Sequence, residues 1–153
     1  DAFELKFLGA VKLSRAVIPH MQSRKYGRIV NVIGMFGREP AKQALPASAV
    51  NAAFMAINKG LSQQYGGDGI FVNAVDPGPT RSARIMTLFA DMAKANNTTP
   101  EELENGFRQQ IPIGRLGEVD EVARVVTFLA SDASGNVNGT VVAVDGGMSK
   151  GLF

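Results

Sequence analysis

Few side chains in this sequence have both the type and the spacing needed for chemistry. The chain has no cysteine, which excludes disulfides, thiolate metal ligands and a cysteine nucleophile. A single histidine, His20, cannot build a histidine metal site alone, so no metal is predicted. Because His20 follows Pro19 near the expected end of a helix, the simplest interpretation is a surface residue that interacts with the helix dipole.

Lys6 is the basic residue with the clearest chemical potential. A partly buried ammonium can have a lowered pKa, so Lys6 could supply a charge or a proton to a reaction. The commoner arrangement is a lysine whose stem packs against the protein while its head group reaches water. Both interpretations are kept open.

The elements that must position such groups alternate between helix and strand. Apolar residues recur at three- and four-residue steps from Phe3 to Met21, which predicts an amphipathic helix ending near Gly27. Further helices are predicted at about 47–65, 82–97, from 99 onward and at 120–129. Thr99 and Glu102 should form a capping box at the start of the helix from 99. Buried strands are predicted at 29–33, 70–75 and 140–144. This alternation is typical of a parallel α/β sheet with right-handed crossovers.

Composition and charge restrict the class of protein. A chain of 153 residues with 45% hydrophobic residues can bury one core, which predicts a single domain over 1–153. No apolar run is long enough for a membrane span, and the start lacks the pattern of a secretory signal, so a soluble cytoplasmic protein is expected. A net charge of +2, scattered along the chain, does not indicate a nucleic-acid partner.

Five segments, in order and at matching spacing, resemble the short-chain dehydrogenase/reductase family. They are 27–32 (GRIVNV), 73–78 (NAVDPG), 111–117 (IPIGRLG), 128–132 (FLASD) and 138–147 (NGTVVAVDGG). The resemblance implies a Rossmann-like doubly wound parallel sheet of which this chain is the C-terminal part, with the N-terminal βαβ units absent from it. The glycine-rich turn that binds a cofactor pyrophosphate belongs to those units, so the chain is expected not to hold a dinucleotide alone.

The resemblance also locates four catalytic positions, and each carries a substitution here. The family uses an asparagine, a serine, a tyrosine that donates a proton, and a lysine that lowers the tyrosine pKa and binds the ribose. Ungapped alignment of the helix at 47–65 puts Ala47 at the tyrosine position and Asn51 at the lysine. Counting back through Gly37 puts Gly34 at the serine, and the match of Leu8-Gly9 puts Lys6 at the asparagine. Asn51 could still hydrogen-bond a ribose hydroxyl, or it could merely satisfy a local backbone group.

No neighbouring hydroxyl is expected to replace the missing phenol. Ser48 is adjacent to Ala47, but a helix turns by about 100° per residue, so its hydroxyl should point elsewhere. Tyr26 and Tyr65 are predicted at helix ends that lie away from the cleft.

The cofactor implied by the resemblance is NAD or NADP. Its predicted contacts are Asn51, Pro77, Gly78, Thr80 and Ser82, of which the last four follow a strand. The helix after them presents apolar residues that could line a substrate pocket or could equally be ordinary core: Ile85, Met86, Phe89 and Met92.

Two classes of function remain open from the sequence. The first is an oxidoreductase acting on a small carbonyl or alcohol substrate, with the proton supplied by water, Lys6 or the substrate. The second is a catalytically inactive relative that binds a nucleotide or serves as an oligomer partner, which the loss of serine, tyrosine and lysine together favours. The resemblance further implies a homodimer or homotetramer packed through the helices at 3–21 and 47–65.

Overall fold

A computed structural model describes residues 3–151, apart from the side chain of Gln43. The predicted domain boundaries at 1 and 153 lie outside the described residues. The elements described below come from that part of the chain. Its helices include none that is long and apolar enough to cross a membrane.

Three parallel strands form the central sheet, which confirms the predicted fold class. They are β1 (Gly27–Val32), β2 (Ile70–Pro77) and β5 (Val141–Val144), in the order β1-β2-β5. The central strand is the most buried because it is flanked by strands on both sides and covered by helices, and Ile70, Val72 and Ala74 have no exposed surface. All three strands run in one direction, so their carboxyl ends meet at one edge of the sheet.

Helices connect and cover these strands. They are α1 (Gly9–Ser23), α2 (Leu45–Tyr65), α3 (Ala83–Asn96), α4 (Pro100–Gln110) and α5 (Val119–Ala130). Phe54 on α2 and Ile18 on α1 belong to the buried core. At the start of α4, Thr99 and Glu102 form the predicted capping box, in which each side chain accepts from the other residue's backbone N–H.

The first helical segment differs from the prediction of one regular helix beginning at Phe3. The segment Phe3–Leu8 is wound as a π-helix and passes directly into α1. A π-helical turn is wider than an α-helical turn and occurs often at functional sites. Hydrophobic spacing alone did not reveal it, because apolar residues at three- and four-residue steps fit an ordinary α-helix.

A second, two-stranded sheet was not predicted. Its strands are β3 (Thr80–Arg81) and β4 (Gly117–Glu118), which pair in parallel. Each strand has only two residues, so neither could produce a readable alternation of polar and apolar side chains. This small sheet fixes the chain that follows β2 against the start of α5, next to the edge where the long strands end.

Candidate active site

A cleft of about 420 Å³ lies at the carboxyl edge of the central sheet. Five of the predicted site positions line it: Gly34, Pro77, Gly78, Thr80 and Ser82. The remaining lining residues are apolar, except for one arginine: Val32, Ile33, Pro79, Arg84, Ile85 and Leu88. The sequence therefore located both walls of this cleft, one after β1 and one after β2.

Lys6 and Asn51 meet directly behind the Gly34 wall. The Lys6 ammonium donates one hydrogen bond to Asn51 Oδ1, at 2.7 Å, and another to the Ile33 carbonyl. Asn51 Nδ2 in turn donates to the Gly34 carbonyl at 3.1 Å. Three of the four substituted positions thus form one hydrogen-bonded group. Asn51 satisfies a backbone group, as the simpler interpretation expects, and it also holds the amine of Lys6.

The surroundings of Lys6 favour its neutral form. Burial lowers the pKa of the Lys6 amine below its usual 10.5, the positive charge of Arg84 lowers it further, and the negative charge of Asp76 partly opposes both. Lys6 lies in the π-helical turn Phe3–Leu8, and Phe7 of the same turn packs against Phe54. The Phe7–Phe54 contact therefore anchors the turn that carries Lys6, and the Lys6 amine reaches the carbonyl of Ile33, a residue of the cleft lining.

Gly34 has a backbone conformation that a larger residue would adopt only with strain. Its φ is 128°, outside the range that residues with a side chain favour. A Cβ atom there would lie 3.3 Å from Asn51 Nδ2. The glycine at the expected serine position is thus matched to the Asn51 side chain that hydrogen-bonds its carbonyl.

Three predicted positions are not part of the cleft lining: Lys6, Ala47 and Asn51. Of these, Ala47 is also outside the hydrogen-bonded group of Lys6, Asn51 and Gly34. It is exposed near the start of α2, one turn before Asn51. The adjacent Ser48 is buried, donates its hydroxyl to the Ala44 carbonyl at 3.0 Å and accepts from the Ala41 N–H, so it points elsewhere, as predicted. Tyr26 and Tyr65 lie at the opposite end of the sheet, beside the first residues of β1 and β2.

An ion pair next to the cleft was missed by the sequence reading. Asp76, at the end of β2, has a side chain that is 1% exposed, and its Oδ2 lies 3.6 Å from Nε of Arg38. Burial raises the pKa of Asp76, whereas Arg38, the Gly34 N–H and Lys6 act in the opposite direction. The sequence signal that could have revealed this pair is an aspartate at the end of an otherwise apolar strand, because a buried carboxylate needs a partner.

Some apolar residues of α3 belong to the core and others line the cleft, so each of the two roles left open by the sequence applies to part of this helix. Phe89 has no exposed surface and stacks on Phe107 with ring centroids 5.3 Å apart, so it is core. Ile85 and Leu88 line the cleft. Met86 is exposed and does neither. Ser82 begins this helix, because its hydroxyl accepts from the Ile85 N–H at 3.4 Å.

The sequence is similar to a known protein family and to individual reductases. Residues 1–149 match a family model described as enoyl-(acyl carrier protein) reductase. The chain is 36% identical over 140 residues to the acetoacetyl-CoA reductase of Shinella zoogloeoides, covering 91% of this chain and 54% of that protein. It is 35% identical over 137 residues to a 3-oxoacyl-[acyl-carrier-protein] reductase of Pseudomonas aeruginosa, covering 90% and 51%.

Solved structures share the fold of this chain. The NADPH-dependent reductase YwfH, involved in bacilysin biosynthesis, superposes with a TM-score of 0.92 at 27% identity, covering 98% of this chain and 57% of that one. An L-sorbose reductase of Gluconobacter frateurii, complexed with NADPH and L-sorbose, gives 0.91 at 27% identity with the same coverage. The chain spans between 54% and 59% of the length of the first curated relatives that it matches.

Proposed function

Because this chain belongs to the short-chain dehydrogenase/reductase family, we propose that the protein is an NAD(P)-dependent oxidoreductase acting on a carbonyl or alcohol substrate. Three of the proteins named above are an acetoacetyl-CoA reductase, a 3-oxoacyl-[acyl-carrier-protein] reductase and an L-sorbose reductase. The cleft at the carboxyl edge of the sheet is where open parallel sheets bind ligands. The single observation that carries the proposal is the contact between Lys6 and Asn51 beside that cleft.

The turn after β2 suits the nicotinamide end of such a cofactor. The Ser82 hydroxyl accepts from Ile85 N–H, which leaves its own O–H free to donate to an oxygen. The Thr80 hydroxyl donates to the Gly78 carbonyl at 3.0 Å, which leaves its lone pairs free to accept from an amide. Together with Pro77 and Gly78, these residues would hold a carboxamide. When bound, the cofactor supplies or accepts a hydride.

Lys6 can hold and release a proton without breaking the hydrogen bonds that position it. An ammonium has three N–H donors, and Ile33 and Asn51 use two of them. The third can donate to a substrate carbonyl oxygen. After the proton has moved, the neutral amine still has two N–H groups for the same two acceptors. Its lowered pKa brings the proton-donating ability of Lys6 closer to what a general acid requires.

The Lys6–Asn51 contact supports an active site in which two roles have changed places. In the family, the resemblance assigns an asparagine to the first helix and a lysine to the second. Here Lys6 and Asn51 occupy those positions in reverse and hydrogen-bond each other at 2.7 Å. One amine and one carboxamide therefore remain beside the cleft, and the proton comes from the π-helical turn instead of α2.

The second candidate is a catalytically inactive relative that binds a nucleotide or an oligomer partner. Gly34 and Ala47 favour it, because neither position offers a hydroxyl. The oligomer, a homodimer or homotetramer, would pack through α1 and α2, where Leu13 is 65% exposed. Sedimentation of the full-length protein as a stable monomer would count against such an assembly.

Two measurements on the full-length protein separate these candidates. Fluorescence titration with NADH and NADPH tests whether a cofactor binds, and turnover on a panel of ketones tests whether it reacts. The proposal expects saturable binding of one cofactor and measurable reduction of at least one ketone. Saturable binding without turnover on any ketone would favour the inactive relative.

A further inference from the structure

Arg84 differs from the other arginines around the site in having no counter-ion. Arg38 pairs with Asp76, and Arg81 pairs with Glu104 and Glu118. Arg84 lines the cleft, yet within residues 3–151 it has neither a carboxylate nor a carbonyl partner. A guanidinium that faces a concave site without a partner is available to a ligand, and its planar donors match carboxylate and phosphate oxygens.

The charge next to Arg84 is also positive. The Lys6 ammonium donates to the carbonyl of Ile33, a residue that lines the same cleft as Arg84, and the two cations are near enough to repel. Asp76 offsets only part of the charge of Lys6, and its own side chain is 1% exposed and pairs with Arg38. The amino end of α3, which begins one residue before Arg84, adds a partial positive charge. An anion bound at the cleft would relieve this repulsion.

The cleft lining next to Arg84 is apolar. Ile85 and Leu88 project from α3 into the lining, and Val32, which is 54% exposed, closes the far side at the end of β1. A ligand that contacts both Arg84 and these apolar residues carries an anionic group and a hydrocarbon portion. A neutral polyol would leave Arg84 unpaired and these three apolar side chains in contact with hydroxyl groups.

We propose that the cleft selects an anionic carbonyl compound, whose carboxylate or phosphate is bound by Arg84 while its hydrocarbon portion contacts Ile85 and Leu88. The selection rests on the proposed oxidoreductase function, since it names the substrate class of the same site. Arg84 is a specificity-determining residue in this account, and Lys6 remains the residue that handles the proton.

Two probes with the same ketone test this selection in the full-length protein: acetoacetate, which is an anion, and acetoacetamide, which is neutral. The wild-type protein should have the higher kcat/KM for acetoacetate. In Arg84→Gln the ratio of the two kcat/KM values should fall about 10- to 100-fold, the effect of losing one charge-assisted hydrogen bond. Arg84→Lys should keep part of the ratio. Arg124→Gln, an exposed arginine on α5, is the matched control and should not change it.

A binding measurement keeps the selection testable if no ketone turns over. Calorimetric titration of acetoacetate into protein saturated with oxidised cofactor should show binding that Arg84→Gln removes and Arg124→Gln retains. Arg84-dependent binding without turnover would refute the proposed oxidoreductase function and support the anion site. Turnover with an equal preference for both probes, or a ratio unchanged by Arg84→Gln, would overturn the anion site and leave the oxidoreductase proposal intact.

The same anionic chemistry is present in the phosphates of the cofactor, so the titrations include it. Arg84→Gln should leave the Kd for NADH and NADPH within about twofold of wild type while acetoacetate binding weakens, because a factor of two is well below one charge-assisted hydrogen bond. A loss of NADPH affinity with unchanged acetoacetate binding would assign Arg84 to the cofactor and refute its role in substrate choice.

Discussion

The two ends of the central sheet each hold an arginine–aspartate pair, in opposite surroundings. At the amino end, the Arg28 guanidinium lies 4.8 Å from the ring centre of Tyr26 and 4.3 Å from that of Phe71. It pairs at 3.4 Å with Asp132, whose side chain is 81% exposed. At the carboxyl end, Arg38 pairs with Asp76, whose side chain is 1% exposed. Water can solvate the first carboxylate, whereas only protein atoms surround the second.

This difference separates a structural end of the sheet from a chemical one. At the carboxyl end, burial lowers the pKa of Lys6 and raises the pKa of Asp76, so both shifts disfavour the charged form. The cleft opens beside these two residues. Groups whose protonation is perturbed by burial in a concave site are typical of functional sites. At the amino end, stacking on two rings and an exposed partner hold Arg28 as part of the scaffold.

Removing the buried carboxylate should produce the largest effect on stability. We expect Asp76→Ala to lower the free energy of unfolding by about 3–5 kcal/mol, because it leaves the Arg38 side chain, which is only 18% exposed, without its counter-ion. Urea unfolding followed by circular dichroism measures this loss. If the free energy of unfolding falls by less than about 1 kcal/mol, the Arg38–Asp76 pair is no stronger than a solvated surface pair. The two ends of the sheet would then not differ in this respect.

Rebuilding the family arrangement sharpens the contrast by moving the amine to α2. In full-length protein, Lys6→Asn combined with Ala47→Tyr and Asn51→Lys should raise kcat for ketone reduction by about 100-fold over Lys6→Asn alone, since a general acid contributes at least that much. Steady-state kinetics with the preferred cofactor measures the gain. No gain despite saturable cofactor binding would mean that the pocket itself has diverged.

The pH dependence of reduction should reveal Lys6 directly. Reduction requires the protonated amine, so kcat should fall as the pH rises through the lowered Lys6 pKa, which lies below 10.5. The unfolded chain holds this proton more tightly than the folded protein, so the free energy of unfolding should increase with pH over the same window. Lys6→Met should abolish both dependences. A falling limb that persists in Lys6→Met would assign the proton to another group.

The smallest effect is expected at the amino end of the sheet. Asp132→Ala should lower the free energy of unfolding by no more than about 1 kcal/mol, because its carboxylate is exposed and its ion pair is screened by water and salt. Activity should be unchanged, since the pair lies at the opposite end from the cleft. The same denaturant and kinetic assays used for Asp76→Ala measure it. A loss as large as that of Asp76→Ala would erase the distinction between the two ends.

Patterns within a single element could be read from the sequence, and contacts between distant elements could not. The apolar runs at β1 and β2 predicted parallel strands, and Thr99 with Glu102 predicted a capping box, because each pattern is local. Arg38 and Asp76 are 38 positions apart in the sequence, so their pairing depends on how β2 passes the loop after β1. The two-residue strands β3 and β4 carried no pattern at all.

The candidate site shows the same limit. Alignment with the family assigned Gly34 and Asn51 to catalytic positions, but it gave no sign that these residues contact each other. The structure brings Lys6, Asn51 and Gly34 into one hydrogen-bonded group, although Lys6 and Asn51 are 45 residues apart. The π-helical turn that carries Lys6 also lay beyond a reading based on α-helical spacing. The contact between the lysine and the asparagine therefore became visible only when the two helices were placed together.

The most direct test of the account is the rate of hydride transfer in full-length Lys6→Met, measured in a single turnover with the cofactor already bound. Lys12→Met, an exposed lysine on α1, is the matched control. We expect cofactor affinity to be unchanged in both variants and hydride transfer to slow by about 100-fold or more in Lys6→Met only. Hydride transfer at the wild-type rate in Lys6→Met would contradict the assignment of Lys6 as the proton donor.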